Sequence, residues 1–231
     1  MRITMYPYRP FEMTNQKITV FSTNSADVYT KLIAGFKEQQ ETLKISDDQY
    51  QLIDIVKSVL WGGEISTLDP NKLFQSRLIK KMAKDLTDNQ RQNLIKLDSQ
   101  MRAAILEAAF MYDLALDIDL ELDVQKALKY FNLKFSNDIQ TDPYGIIESI
   151  VLTASELNET KIIVLMNVSH YLSISQFNEL VRLMATLNVK LFIIEFSETS
   201  NPTRYQECRY YHIDTDYVEW RYDSDEGMMK K

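Results

Sequence analysis

The chain has 231 residues, of which 45% are hydrophobic and 11% aromatic, so it can bury one core and carry an appended lobe. It contains no low-complexity tract, its start at Met1–Arg9 lacks an apolar h-region, and its apolar runs are too short to cross a bilayer; these features argue against secreted and membrane-spanning classes. The net charge of −7 by itself disfavours a nucleic-acid binder.

The first 68 residues predict alternating strands and helices. Ser25 is a suitable N-cap, because its hydroxyl can accept a hydrogen bond from a free N–H of the first helical turn. The predicted elements of this part are a strand at Lys17–Phe21, a helix at 26–40, a hairpin at Leu43–Ile45 and Gln51–Ile53, and a short helix or strand at Ile55–Leu60 that ends at Gly62–Gly63.

A long helical zone is predicted from Asp69-Pro70 onward, with a turn between two helices at Asp88-Asn89. Residues 71–102 contain eight bases and three acids, a net charge of +5, so the remainder carries −12. A basic surface beside an acidic one can attract a polyanion to one place, although a solvated helix face would also explain the basic segment. The candidate DNA contacts are Arg77, Lys81 and Lys84, at i, i+4 and i+7 of one helix face, and Lys80 at its flank.

Four carboxylates alternate with aliphatic residues after this basic zone, a pattern that predicts a strand with all four acids on one face. Between Ala103 and Asp123 there are six acids and no Lys or Arg, so we expect no local counter-charge. Hard divalent cations, Ca²⁺ above all, prefer several oxygen ligands of this kind; a solvated acidic strand is the alternative. The four candidate metal ligands are Asp117, Asp119, Glu121 and Asp123.

The rest of the sequence alternates helices with continuous apolar strands, which is typical of a buried parallel sheet. The predicted elements are a helix at Val124–Phe131, an extended piece at Leu133–Phe135, a helix at Ile146–Leu157, a strand at Lys161–Met166, a helix at Ser175–Leu187, strands at Lys190–Glu195 and Tyr210–Ile213, and a polar tail from Asp223. We therefore predict an α/β fold, with a mostly parallel sheet in a head domain (1–68 and 143–231) and an inserted, mainly helical leg domain (69–142).

The residues that nucleotide hydrolysis requires are missing from their expected positions. The loop Phe21–Ala26 after the first strand has no Gly and no Lys, and Asn167 stands where a metal-holding Asp is expected. The only histidines, His170 and His212, are not in a metal-ligand spacing. The single cysteine, Cys208, cannot form an internal disulfide and favours a reducing, cytoplasmic location. We therefore predict no catalytic residue.

Four segments follow a pattern that is known from one protein family: 161–177, 187–195, 211–217 and the acidic stretch 117–123. Here, and in order along essentially the whole chain, the sequence resembles the CRISPR-associated Csn-two (Csn2) family of subtype II-A systems. The resemblance implies a head lobe with a sheet like that of P-loop ATPases but without the nucleotide-binding residues, and a helical leg. It also implies a homotetrameric ring whose basic hole holds double-stranded DNA, binds free ends and needs Ca²⁺.

The role that the resemblance implies is acquisition of new spacers, alongside the adaptation integrase and the effector nuclease. Asp117, Asp119, Glu121 and Asp123 fall on the family's acidic Ca²⁺ stretch, which would fix the leg against the head. Lys129 and Lys134 match basic positions just after that stretch.

Two other functions remain compatible with the residues. The acids from Asp117 to Asp123 could serve a metal-dependent nuclease, or the chain could be a protein-interaction module without DNA affinity. If DNA is bound, we expect contacts to phosphates alone, without sequence preference.

Overall fold

The computed structural model describes residues 1–37, 41–119, 121–136 and 142–223. The chain divides into two compact units, a first unit of Met1–Leu73 with Ser136–Lys231 and a second unit of Phe74–Phe135. Parts of three predicted features lie outside the described residues: the end of the helix predicted over 26–40, Leu120 within the acidic stretch, and the polar tail beyond Asp223.

A six-stranded sheet in the order β10-β9-β3-β8-β7-β6 forms the centre of the first unit. Neighbouring strands from β9 to β6 pair in parallel, and β10 pairs with β9 in the antiparallel sense. All residues of β7 are buried, because both faces of a parallel sheet are covered. The predicted α/β class with a mostly parallel sheet is confirmed. The strands are β3 at Thr19–Thr23, β6 at Val59–Glu64, β7 at Ile162–Met166, β8 at Lys190–Phe196, β9 at Arg209–Ile213 and β10 at Glu219–Asp223.

The helices of the first unit begin at polar side chains that cap free backbone N–H groups. Ser25 caps the first helix as predicted, and Ser173 forms a reciprocal capping box with Gln176 on the last. The first helix ends earlier than predicted, with its C-cap at Lys37. The helices are α1 at Ala26–Phe36, α2 at Ile55–Ser58, α6 at Pro143–Glu156 and α7 at Ile174–Thr186.

A second sheet in the order β2-β1-β4-β5 is antiparallel throughout. The hairpin of β4 and β5 was predicted, whereas β1 and β2 were not. Phe11 of β2 packs its ring edge-on against Phe21 and Tyr211 of the large sheet, with ring centroids 5.1 and 5.2 Å apart. The small sheet therefore shares one apolar core with the large sheet. Its strands are β1 at Arg2–Met5, β2 at Phe11–Glu12, β4 at Leu43–Ser46 and β5 at Leu52–Ile53.

The two glycines predicted to end an element lie inside β6 instead. The strand shifts its register between Trp61 and Gly63, and it continues to Glu64. A Cβ on Gly62 would lie 2.6 Å from Leu165 Cδ2, so the residue is needed for close packing rather than for a turn.

The described residues of the helical zone include the helices α3 at Pro70–Asp85, α4 at Asp88–Ala109 and α5 at Val124–Tyr130. The predicted break between two helices is present, but it lies at Leu86-Thr87 rather than at Asp88-Asn89, because Thr87 caps α4 in a reciprocal pair with Gln90 and makes Asp88 the first helical residue. The predicted acidic strand is wrong: residues 115–119 and 121–123 form no strand, and neither do 133–135.

Candidate functional site

The carboxyl edge of the large sheet, where parallel sheets commonly bind nucleotides, is occupied by a network of the protein's own side chains. Asn167 follows β7 in a left-handed conformation, with φ at 51°. Its Nδ2 donates to the Tyr29 hydroxyl (2.8 Å) and to Glu64 Oε1 (2.7 Å), and its Oδ1 accepts from the Phe196 N–H (3.0 Å). The amide that stands where a metal-holding acid was expected therefore ties together α1, β6 and β8.

Glu195 forms a second polar cluster at this edge that the sequence reasoning missed. It is 1% exposed and accepts hydrogen bonds from the Ser169 N–H (2.9 Å) and hydroxyl (2.7 Å). Burial raises the pKa of Glu195, and the two bonds from Ser169 oppose that rise. Arg204 lies nearby and donates to the Leu172 carbonyl at 2.8 Å. The sequence feature that could have identified this cluster is an acidic residue at the end of an apolar strand.

The remaining candidates for chemistry in the first unit have structural surroundings. His212 is buried, with Nδ1 3.3 Å from the Ser22 hydroxyl, and burial lowers its pKa. His170 is exposed. Burial raises the pKa of Cys208 to about 12, so its thiol is not a nucleophile at neutral pH.

The four α3 bases predicted to contact DNA divide into two exposed and two engaged side chains. Lys80 and Lys84 are exposed and, together with Arg91 and Lys126, line a cleft of about 710 Å³. We call this cleft, named after these four bases, the basic cleft. This cleft lies entirely within the second unit. Since Arg91 and Lys126 come from α4 and α5, sequence spacing could not have grouped them with the α3 lysines.

The other predicted DNA contacts are not part of this cleft. Arg77 is half-buried, with its guanidinium 5.9 Å from the centroid of the Phe74 ring, and Lys81 pairs with Asp85 one turn further along α3. Lys129 and Lys134 are exposed. The six predicted bases therefore do not form one continuous surface lining a single cleft.

The four predicted calcium ligands lie outside helices and strands, and we call the stretch Asp117–Asp123 the acidic segment. Asp117 Oδ1 accepts the N–H of Ile118 at 2.8 Å, and Asp123 Oδ1 accepts the N–H of Lys126 at 3.0 Å as the N-cap of α5. Asp119 lines the basic cleft, as do Glu121 and Asp123. In the part of the chain that the structure describes, no three His, Cys, Asp or Glu side chains are grouped so that they could hold a metal ion.

A counter-charge to the acidic segment is present, contrary to the prediction. Arg102 of α4 donates from Nη2 to the Glu121 carbonyl at 3.0 Å. The same guanidinium pairs with Asp98, Nε to Oδ2 at 2.5 Å and Nη2 to Oδ1 at 3.1 Å. The hydrogen bond with Asp98 raises the pKa of Arg102, and the charge of Asp119 adds to that rise. Arg102 immediately precedes the stretch from Ala103 to Asp123 that contains no Lys or Arg. No local sequence pattern predicts its contact with the Glu121 carbonyl.

The acidic segment supplies the kind of oxygen atoms that calcium prefers as ligands, but these atoms are not arranged as a calcium site. Carboxylate and backbone carbonyl oxygens are the ligands that Ca²⁺ prefers, usually six to eight of them. In the structure one such carbonyl, that of Glu121, is taken by Arg102, and one oxygen each of Asp117 and Asp123 accepts a backbone N–H.

A second, apolar cleft of about 790 Å³ lies along α4 and α5 within the same unit. Met101, Ile105, Tyr130 and Phe131 line it and are 51%, 52%, 78% and 70% exposed. Helix α4 has no buried residue. Exposed apolar patches of this kind mark surfaces that contact another molecule.

Comparison with known proteins gives one family and several similar folds. Residues 35–217 match the family described as CRISPR-associated protein (Cas_Csn2). No curated protein sequence matches the chain. A crystal structure of Stu0660 of Streptococcus thermophilus superposes with a TM-score of 0.54 at 13% identity, covering 92% of this chain and 74% of that one. A putative metal-chelate type ABC transporter in an inward-facing conformation gives 0.47 at 10% identity, covering 98% and 84%. None of the helices in the described ranges is long and apolar enough to span a bilayer.

Proposed function

The chain belongs to the Cas_Csn2 family of CRISPR-associated proteins, and from this membership we propose that it binds double-stranded DNA, at its ends and without sequence preference, during spacer acquisition. In this proposal it acts in the cytoplasm as a calcium-dependent homotetrameric ring beside the adaptation integrase and the effector nuclease. It does no chemistry itself.

The observation that carries the DNA-binding proposal is the group of four bases in one cleft of the second unit, where they outnumber the three acids of the lining. Lys80 and Lys84 reach solvent from one helix, and Arg91 and Lys126 face the same space. Lysine and arginine side chains on such a surface bind phosphates, which carry no base information. Lys129 and Lys134 extend the exposed positive charge in the same unit, and Arg77 and Lys81 are the weaker candidates because both are partly covered.

The apolar cleft of the second unit supports the tetramer proposal. Its lining side chains, such as Met101 and Phe131, would be covered by contact with another copy. Light scattering of the protein should therefore show a mass several times that of one chain.

A non-catalytic role is supported by the first unit. Its loop after β3 has no Gly or Lys for phosphate, and the Asn167 amide uses its donors and its acceptor inside the protein. Calcium dependence is proposed from family membership, since the described acids are not grouped as a metal site; binding to the folded state alone should raise the melting temperature, with EGTA reversing the rise.

The experiment that tests this function measures binding and cleavage together. Linear and circular duplexes are incubated with the protein in Ca²⁺, Mg²⁺, Mn²⁺ or EGTA, and are followed by fluorescence anisotropy and by gel. Salt-sensitive, sequence-independent binding of linear duplex in Ca²⁺ without cleavage is expected. Cleavage would favour the metal-dependent nuclease, and absence of binding with every ion would favour a protein-interaction module.

The matched variants compare two pairs of exposed lysines. Lys80→Ala with Lys84→Ala removes two positive charges from the basic cleft, and Lys44→Ala with Lys57→Ala removes two from the first unit. Only the first pair should weaken binding, and it should weaken all duplex sequences alike. Equal loss of affinity in both pairs would mean that total charge, rather than this cleft, governs binding.

A further inference from the structure

Tyr130, the last residue of α5, carries an aromatic ring that is open to solvent. It is 78% exposed, and the ring of Phe131 lies edge-on to it, with 5.2 Å between the centroids and 80° between the planes. This edge-on contact restrains the Tyr130 ring. Helix α5 therefore ends in a flat apolar surface that is held in place and is available to another molecule.

Basic side chains lie beside this ring. Lys126 precedes Tyr130 by four residues, so both occupy one face of α5, and Lys129 is exposed next to them. Lys126 lines both the basic cleft and the apolar cleft, whereas Tyr130 lines only the apolar one. The two clefts therefore meet at Lys126. A polyanion held in the basic cleft would have the Tyr130 ring one helical turn beyond its contact with Lys126.

The charges of the apolar cleft decide which part of a nucleic acid can enter it. Its described lining has four acids and two bases, so it repels phosphates: Asp98, Asp119, Glu121 and Asp123 against Arg102 and Lys126. A nucleobase is uncharged and has two flat faces that stack on aromatic rings. Bases inside a duplex already stack on each other, so only unpaired bases at an end have a face free for Tyr130.

We propose that Tyr130 is a stacking site for unpaired bases at the end of a DNA duplex, with Lys126 and Lys129 holding the adjacent phosphates. Aromatic rings interleaved with basic side chains are the type of surface that binds single strands. The inference rests on the proposed DNA binding and adds the group that distinguishes an overhang from a blunt end. Met101 and Ile105, on the α4 side of the apolar cleft, stay available for contact with another copy.

Three DNA probes with the same paired region test this site in the full chain. One is blunt, one has a short deoxyadenosine overhang, and one has an abasic overhang of the same length. The two overhangs carry the same phosphates, so the ratio of their dissociation constants, measured by fluorescence anisotropy, reports the contribution of the bases. The wild type should bind the deoxyadenosine overhang roughly five- to hundredfold more tightly than the abasic one, the scale of one stacked base.

Three variants locate this discrimination at one ring. Tyr130→Ala should bring the ratio close to one, and Tyr130→Phe, which keeps the ring, should preserve it. Tyr112→Ala is the matched control, because Tyr112 is a 64% exposed tyrosine of the same unit that lines neither cleft, and it should also preserve the ratio. A 2-aminopurine base in the overhang should be quenched on binding to the wild type and much less on binding to Tyr130→Ala.

The outcomes separate this inference from the proposed function. If the wild type does not distinguish the two overhangs, or Tyr130→Ala distinguishes them equally well, the inference is wrong and binding of the blunt duplex still stands. If Tyr130→Ala forms a smaller assembly in light scattering and binds all three probes equally weakly relative to the wild type, the ring belongs to a subunit contact and the inference is overturned. If the wild type binds the deoxyadenosine overhang but not the blunt duplex, the inference is supported and the proposed duplex binding is wrong. If it binds no probe, both are wrong.

Discussion

Phe11 should hold the small antiparallel sheet on the large sheet, and its truncation is the most direct test of the fold. The side chain is fully buried. Its ring meets Phe21 at 5.1 Å and Tyr211 at 5.2 Å, both edge-on, and the Arg221 guanidinium lies 5.7 Å from its centroid. Phe11→Ala therefore removes the buried ring and both aromatic pairs at once.

The expected cost is about 4 kcal/mol of unfolding free energy. Truncating a buried Phe costs about 3–5 kcal/mol, and edge-on ring pairs add about 0.5–1.5 kcal/mol each beyond their area, which favours the upper half of that range. A cost of this size is a large fraction of a typical total stability of about 5–15 kcal/mol.

Urea unfolding followed by tryptophan fluorescence measures this cost, because Trp61 and Trp220 both belong to the first unit. Leu52→Ala is the control: it lies in β5 of the same small sheet and is 69% exposed, so it should cost no more than about 0.5 kcal/mol. If Phe11→Ala costs as little as Leu52→Ala, the small sheet does not share the core of the large one.

The remaining predictions concern pH, thiol reactivity and salt. Burial raises the pKa of Glu195 in the folded protein. The stability that Glu195 contributes is therefore complete below the pKa it has in the unfolded chain, and is lost as pH rises through its pKa in the folded protein. In urea titrations across pH, Glu195→Gln should remove this pH-dependent loss of stability. Burial lowers the pKa of His212, so its contribution is complete above pH 6.5 and is lost as pH falls, and His212→Gln should flatten this acid limb. Cys208, 1% exposed with a pKa of about 12, should react with thiol reagents only on unfolding. Lys80→Ala with Lys84→Ala should lower the slope of log affinity against log salt by about 1.8, that is by about 0.9 for each lost phosphate contact.

The large sheet could be predicted because its strands carry their own signal. Ile162–Met166 and Leu191–Ile194 are continuous apolar runs, which are typical of a sheet covered on both faces. Strands β2 and β10 carry no such run. β2 has only two residues, and β10 is an edge strand; each pairs with the strand next to it along the chain, β1 and β9, and neither is covered on both faces in a way that would demand an apolar run.

The acidic segment was mispredicted as a strand for the converse reason. Alternation of acids and aliphatics fits a strand, but a strand also needs a neighbour for its backbone hydrogen bonds. In the described residues Asp117 bonds the N–H of Ile118 and Asp123 caps α5, so these carboxylates serve local backbone groups. Alternation without an adjacent strand is therefore a weak signal. The contact of Arg102 with Glu121 could not be predicted either, since it depends on where the chain returns to α4.

Helical periodicity was a sound guide to the helices of the second unit and a poor guide to burial. Phe74 and Met82 recur at helical spacing in the sequence, as do Met101 and Ile105, and all four lie on helices. Only Phe74 is buried, while Met82 is 38% exposed and the other two are about half exposed. An apolar stripe saves free energy only when something covers it, and the chain does not cover this stripe with its own described residues. The proposed tetramer would cover the apolar side chains that α4 exposes.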